Sequence, residues 1–399
     1  MADTLTPTQP ATPSQVAWLR SQLPEWQRAG LVGESEGAAI IARYRAVKRL
    51  SLGRLMLFLG AAFVGVGVIW LVAANLDQFS PMGRFLVVTG FWLAATAAAE
   101  LLIRLARHRI MSPVTGAARG LSALLFGAVI FQAAQSLQVP AYEPSLIGYW
   151  GLGALLYAYA VRGLSPLVVG VAASLTWFIW QVVETSNSGL GAVLAMLLAG
   201  TIAAGLSVLH ERWDLPGFLS AWREVAAALL LVGLFVAAVP DVNGNGFSLE
   251  APLLAGGAVA AVLVVVALLR VAGNARFEPL AAAVVVLLGW GLVSWDPETR
   301  VSEGLGFGDW AHAALSVVVY VAVAGAVAAL GILRDSDRLT WFAMATLVVF
   351  TTFQSFAVFA AIIEGAWLFL VLGLIFLGSG YLFDRARREL TETLEGASS

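Results

Sequence analysis

The chain has no cysteine, a single lysine (Lys48), three histidines and only 12% charged residues. Without cysteine there is no disulfide, thiolate metal site or thiol nucleophile, and cysteine usage gives no sign of the redox compartment. With one lysine, no glycine-rich run ends in Lys-Ser or Lys-Thr, which excludes an intrinsic P-loop ATPase. His108, His210 and His312 fall in separate loops or span ends, so a shared metal site is not expected. No activated nucleophile or pair of acids lies within an apolar segment, so the sequence offers neither an enzyme's catalytic constellation nor a buried carboxylate relay.

What the chain has is hydrophobicity: 60% of its residues are apolar, against about 45–50% in ordinary soluble domains. The apolar residues recur in blocks of roughly 20, long enough to cross about 30 Å of hydrocarbon at 1.5 Å per residue. About twelve spans follow, at 55–74, 85–103, 120–138, 146–161, 165–183, 189–209, 223–240, 250–270, 277–295, 310–333, 340–363 and 365–383. The expected class is all-α, a polytopic integral membrane helical bundle behind a short cytoplasmic helical hairpin. Residues 1–13 read as a disordered Thr/Pro-rich tail, 14–53 as the hairpin, 54–384 as the transmembrane domain and 385–399 as a cytoplasmic tail. No signal-peptide pattern precedes the first apolar run, so the segment before Leu55 is expected to remain on the mature protein.

Positive residues near span ends are retained in the cytoplasm. With both termini inside, every one of the 23 Lys and Arg residues except Arg84 and Arg300 falls on the cytoplasmic side. One miscounted span would scramble that sorting. The acids Asp77, Glu143, Glu184, Asp241, Glu250, Asp296, Glu298, Glu303, Asp309 and Glu364 lie in or beside outer loops, an asymmetry that the net charge of −2 hides. Arginine dominance with abundant Ala, Val and Gly suggests a GC-rich prokaryotic genome, and hence an inner (cytoplasmic) membrane.

Between Ser14 and Lys48, Val16, Leu19, Leu23 and Trp26 recur at helical spacing. Gly30 is placed to end that helix, and Ser35 to cap a second one carrying Ile40, Ile41 and Tyr44. Such a hairpin is too short to bury much core alone. Leu23, Trp26, Ile40 and Tyr44 are therefore candidates for docking on the membrane domain, a second copy or a cytoplasmic partner.

Leu23-Pro24-Glu25-Trp26 through Ala29-Gly30-Leu31-Val32, then Ile40 to Tyr44, resembles the opening of the prokaryotic domain-of-unknown-function family 2157, a Trp, three residues, Gly and two apolar residues. Phe126-Gly127-Ala128-Val129-Ile130, then Gln135 and the stretch from Trp150 to Arg162, is similar to that family's F-G-A-x-I, Q-x-Y and W region. Ser136-Leu137 stands where the family has an aromatic. The likeness covers residues 15–175 and implies a multipass membrane protein with a cytoplasmic helical start and no assigned activity.

Two candidate sites emerge. Asp241, Asn243 and Asn245, with Gly246, match the first half of a calcium loop, with oxygens at alternate positions and Gly at the turn. The second half fails at Leu249 and Pro252, leaving Glu250 as the nearby acid, so a plain turn outweighs calcium and no cofactor is otherwise evident. Glu100 and Arg104, one turn apart, read as an interfacial ion pair. Within the spans, Gln132 and Gln135 share a face, Trp177, Trp180, Gln181 and Glu184 finish the fifth span, and Thr351, Thr352, Gln354 and Ser355 sit mid-depth in the eleventh. If those spans meet, these groups line an outward-facing cavity with Tyr142, Asp309 and His312 near its mouth. Its amides and indoles would suit a polar ligand. The competing reading is interhelical hydrogen bonding and tryptophan anchoring, which the sequence favours slightly.

Gly60, Ala61, Gly65, Gly67, Gly148, Gly151, Gly153, Gly373, Gly378 and Gly380 serve close helix packing. The two halves show no internal repeat. The expected function is a transporter or flippase-like carrier of a small or lipid-linked polar molecule. The alternative is a non-catalytic sensor or scaffold that docks a partner through its hairpin. The expected surroundings are the lipid bilayer, with a cytoplasmic protein or a second copy, and no nucleic acid.

Overall fold

The computed structural model describes residues 9–11, 13–46, 80–105, 112–140, 142–213, 215, 217–239, 242, 245–295 and 307–354, with single positions at Met56, Leu59, Gly60, Phe63, Gly67, Leu377 and Gly378. The spans expected at 55–74 and 365–383 lie outside the described segments. The chain divides into two compact units, one of Met1–Asn75 with Ala95–Leu121, the other of Leu76–Ala94 with Ser122–Ser399.

In the first unit, helices α1 (Pro13–Arg28) and α2 (Glu34–Arg43) form the expected hairpin. Gly30, at φ +71°, ends α1: Leu31 N–H donates to Trp26 C=O at 3.0 Å and Gly30 N–H to Gln27 C=O at 3.1 Å, the closing bonds of a left-handed C-terminal cap. Helix α2 starts earlier than Ser35 would set it, because the Glu36 carboxylate accepts from the Gly33 N–H at 3.0 Å and Gly33 becomes the cap. Val16 and Leu23 are buried, and Leu23 packs against Gly37. The ends of the hairpin differ from the all-helical expectation. Gln9–Ala11 (β1) pairs in parallel with Tyr44–Ala46 (β2), Gln9 opposite Tyr44, so part of the expected tail is extended and paired.

The next helices are α3 (Pro81–Leu105), α4 (Ser112–Ser136), α5 (Pro144–Val161), α6 (Leu164–Ser186), α7 (Gly189–Leu209), α8 (Phe218–Ala237), α9 (Ala251–Arg270), α10 (Glu278–Ser294), α11 (Phe307–Leu333) and α12 (Asp337–Gln354). Among the described residues, eight helices are long and apolar enough to cross a membrane: α3, α4, α6 to α9, α10 with its preceding 3-10 turn, and α11. Helices α5 and α12, 18 residues each, meet the positions of expected spans but fall outside those eight. Glu100 of α3, expected to pair with Arg104, has a partner on another helix. It reaches across to Arg119 of α4, with paired bonds of 2.8 and 2.7 Å, because a guanidinium fork matches a carboxylate in two places.

In the second unit the centre is α7, 67% buried over its most apolar stretch, whereas α3 is 11% buried. It packs against α6, α8, α9 and α10. Leu197 is fully buried and seated between Gly233 of α8 and Gly289 of α10, where any side chain in place of hydrogen would collide with it. Short turns closed by left-handed Arg162, Asn187 and Asp335 force sequential helices into antiparallel pairs. The α5–α6 crossing is the closest: a Cβ on Gly151 would stand 2.7 Å from the Ser174 backbone nitrogen, and one on Gly170 2.7 Å from that of Leu155.

Because backbone cannot move aside as a side-chain tip can, Gly170→Val is expected to destabilise the protein by roughly 1–3 kcal/mol, the usual overpacking cost. Gly291→Ala, which meets nothing within 4 Å, should stay near wild type. Thermal unfolding of both variants in detergent checks this.

Candidate functional site

The helix starts of α8, α10 and α12 and the ends of α5, α7, α9 and α11 carry charges of the second unit at one end of these helices. Four of these charges assemble. Glu278, the first residue of α10, accepts from Arg334 Nε at 2.9 Å and from its Nη2, and from Arg223 Nε at 3.1 Å. Glu211 lies 3.4 Å from Arg334 Nη1 and 3.5 Å from Arg223 Nη2, the latter without hydrogen-bond geometry. Arg223 and Glu278 side chains are 9% and 10% exposed, so this pair is held largely away from water, while Arg334 and Glu211, 29% and 28% exposed, close the group on its wetter side. A more exposed pair, Glu224 and Arg338, closes at 3.2 Å beside them.

Next to the ionic group runs a neutral hydrogen-bond chain. Trp222 Nε1 donates to Tyr159 Oη at 3.1 Å, and Tyr159 Oη lies 3.0 Å from His210 Nε2. His210 Nδ1 meets the Leu206 carbonyl, which only an N–H can satisfy, and because burial disfavours the charged ring Nε2 is left to accept from the tyrosine. His210 is 3% exposed, between Phe218 and Trp213. Burial lowers its pKa below the usual imidazole value, and the Leu206 bond opposes that in part.

At the opposite ends of these helices the polar groups are not satisfied in the same way. Tyr320 of α11 stacks on Phe350 of α12, centroids 3.7 Å apart, and Phe235 of α8 meets Phe350 and Phe353 edge-on or tilted. The antiparallel register that joins 320 to 350 brings Ser316 level with Gln354, one turn farther on. Ser316 is 1% exposed and Gln354 2%, and among the described residues neither the Ser316 hydroxyl nor the Gln354 Oε1 has a hydrogen-bond partner. Thr351 and Thr352 spend their hydroxyls on the carbonyls of Leu347 and Val348, at 2.8 and 2.7 Å. One turn before Ser316, His312 Nε2 lies 2.9 Å from the Leu292 carbonyl, with its ring edge-on to Trp295.

The other expected ligand residues are spread over separate helices. Gln132 is half-buried and Gln135 exposed on α4. On α6, Trp177 lies flat against Gly148 of α5, Trp180 and Gln181 are half-buried, and Glu184 is exposed. Helix α12, which carries Gln354, packs on α11 and α8. Tyr142 is 75% exposed. In the hairpin, Leu23 is buried inside while Trp26 stands edge-on to the exposed Trp18; Ile40 is half-buried and Tyr44 exposed. Asp241 and Asn243 lie outside the described residues. Asn245 and Glu250 are exposed, and Glu250 accepts from Ser248 at 2.8 Å. Among the described residues, no three of His, Asp and Glu come together as metal ligands.

Glu211, Glu278, Tyr159, His210, Trp222 and Ser316 are the groups that sequence reasoning passed over. Glu211 and Glu278 carried a signal, since they are acids standing among arginines on the side counted as cytoplasmic.

Residues 24–167 match the model of the family described as Predicted membrane protein (DUF2157). The match agrees with the resemblance carried by Trp26, Gly30 and the Phe126–Ile130 motif. The DUF2157 segment runs from the hairpin to the start of α6, so the ionic group, the His210 chain and the Ser316–Gln354 pair depend largely on residues beyond it. No curated protein and no solved structure matches the chain. It is a helical membrane protein with several apolar helices of spanning length.

Glu278→Gln leaves the buried Arg223 guanidinium and the half-buried Arg334 underpaired and should cost about 3 kcal/mol, the lower end for breaking a buried pair. Glu224→Gln, at a partly exposed pair, should cost at most about 1 kcal/mol. Unfolding midpoints of the two variants should separate accordingly. For His210 the folded pKa is depressed, so between that value and the unfolded one the unfolded chain binds more protons. Stability contributed by the neutral ring is complete above the unfolded value of about 6.5 and drains away as pH falls below it. The drop in midpoint from pH 7.5 to 5 should be smaller in His210→Gln.

Proposed function

We propose that the protein is a carrier in the cytoplasmic (inner) membrane, with about twelve spans and both termini in the cytoplasm. Its ligand is a small or lipid-linked polar molecule, admitted from the outer face. The observation that carries this reading is the unmet hydrogen-bonding capacity of Ser316 and the Gln354 Oε1 among the described residues, both buried and at the same level of the α11–α12 pair. A buried polar atom without a partner is costly, and in hydrocarbon it is costlier still. A hydroxyl or amine group of a ligand, or water exchanging with one, would satisfy both. Gln132, Gln135, Trp177, Trp180, Gln181 and Glu184 would line the approach. The arginine sorting supports the orientation, since the opposite helix ends hold the paired charges.

The test is transbilayer movement of fluorescent phospholipid and glycolipid analogues in reconstituted vesicles, read by a membrane-impermeant quencher. Wild type should accelerate movement of at least one analogue. Gln354→Leu should slow it about ten-fold, the worth of one hydrogen bond to a buried polar group, while folding is retained. Movement no faster than in protein-free vesicles, or unaffected by Gln354→Leu, would refute the carrier. It would favour the sensor or scaffold whose exposed Trp18 and Leu31 mark the hairpin as a docking surface.

A further inference from the structure

On the flank of the second unit, at its charged end, a groove of about 680 Å³ runs between α6, α8 and α12. Ala221, Val225 and Ala228 of α8 form its floor, and the two alanines give it depth. Val168 stands on one side and Leu339, Trp341 and Phe342 on the other. From Ala221 to Ala228 the floor extends about 10 Å along the helix axis. Such a volume falls in the range of small-molecule sites, roughly 300–1,000 Å³.

Three observations say what occupies it. Val168 and Trp341 are 57% and 74% exposed on helices of apolar sequence, the surface that hydrocarbon rather than water covers in a bilayer. Trp341 stands one turn into α12, the interfacial depth at which indoles anchor. Glu224, Asp337 and Arg338 line the mouth, two acids and one base, and Arg338 is 54% exposed. Its pair with Glu224 is the kind that contributes about 1 kcal/mol or less, so a competing phosphate can claim the guanidinium.

We propose that the groove is a binding site for an aminophospholipid of the phosphatidylethanolamine class. An acyl chain lies over Ala221, Val225 and Ala228. The headgroup phosphate accepts from Arg338, and its primary ammonium donates to Asp337 and Glu224. The charge pattern selects this headgroup. An anionic phosphatidylglycerol would bring its phosphate to a mouth of net charge −1, while phosphatidylcholine carries a quaternary ammonium with no N–H to donate.

The test is native mass spectrometry of the detergent-purified full chain, titrated in parallel with phosphatidylethanolamine, phosphatidylcholine and phosphatidylglycerol of identical acyl chains. The ethanolamine lipid should be retained in preference to both others, and Arg338→Gln should lower its bound fraction about ten-fold. Ala228→Trp, which fills the floor without touching a charge, should abolish retention. Should that variant fail to fold, quenching by brominated-chain phosphatidylethanolamine supplies a second reading: Trp341→Phe should remove a quenched component of the fluorescence. Equal retention of all three lipids, preference for the glycerol lipid, retention insensitive to Arg338→Gln, or a second copy of the chain seated at the groove would each overturn the assignment.

Discussion

Within a bilayer, helices gain little by hiding apolar surface from one another, because lipid is as apolar as leucine; they associate by close packing and by the polar groups they share. Helix α7 is where the second unit meets that constraint. Its run of Gly, Ala and Leu presents no single polar face, and neighbours cover it on several sides. Leu197 fits against the bare backbone of Gly233 and Gly289 at once, which fixes the heights of α8 and α10 relative to α7. The ionic group and the aromatic stack both depend on those heights. Sliding α10 by one turn, about 5.4 Å, would carry Glu278 out of reach of Arg223 and Arg334.

The polar groups divide by end rather than by helix. Where the arginines gather, acids and bases are matched two against two, and the neutral His210 chain completes its bonds through Tyr159, Trp222 and the Leu206 carbonyl. Charges at this end fold into structure as well as orientation, so an arginine count that predicts topology also predicts where carboxylates must be found. At the other end, threonines bond back to their own helix, and among the described residues the buried hydroxyls of Ser186, Ser188 and Ser316 and the Gln354 Oε1 have no hydrogen-bond partner. At the charged end the one such atom among the described residues is Arg223 Nη2, which still has the Glu211 carboxylate 3.5 Å away.

Hydropathy made the helices legible. The expected span at 189–209 coincides with α7, that at 250–270 starts one residue before α9 and ends with it, and that at 277–295 exceeds α10 by one residue at each end. Gly30 was legible as a helix end because a left-handed cap wants glycine. Lateral adjacency was not legible. Glu100 pairs with Arg119 on another helix, and no spacing along the chain reports which helices are neighbours. Gln354 stood out as an amide in an apolar run, whereas Ser316 did not, since serines bond back to their own helices so often that one more carries no signal. Its meaning comes from the α11–α12 register, a property of two helices together.

That register also limits how anything admitted at Ser316 and Gln354 could act. The α11–α12 hairpin is fixed at its turn, where Arg334 is held by Glu278 and Glu211 while Arg338 is held by Glu224. Between this anchor and the unpartnered pair stand Tyr320 and Phe350, stacked face to face and braced by Phe235. A group bonding to Ser316 and Gln354 would spread or draw together α11 and α12 at that level, while the turn is held by Arg334. The strain would fall on the aromatic stack and on α8 through Phe235. Because packed aromatics have few alternative arrangements at crystal-like density, the response would be a discrete shift of α8 against α11 and α12, not a graded bend.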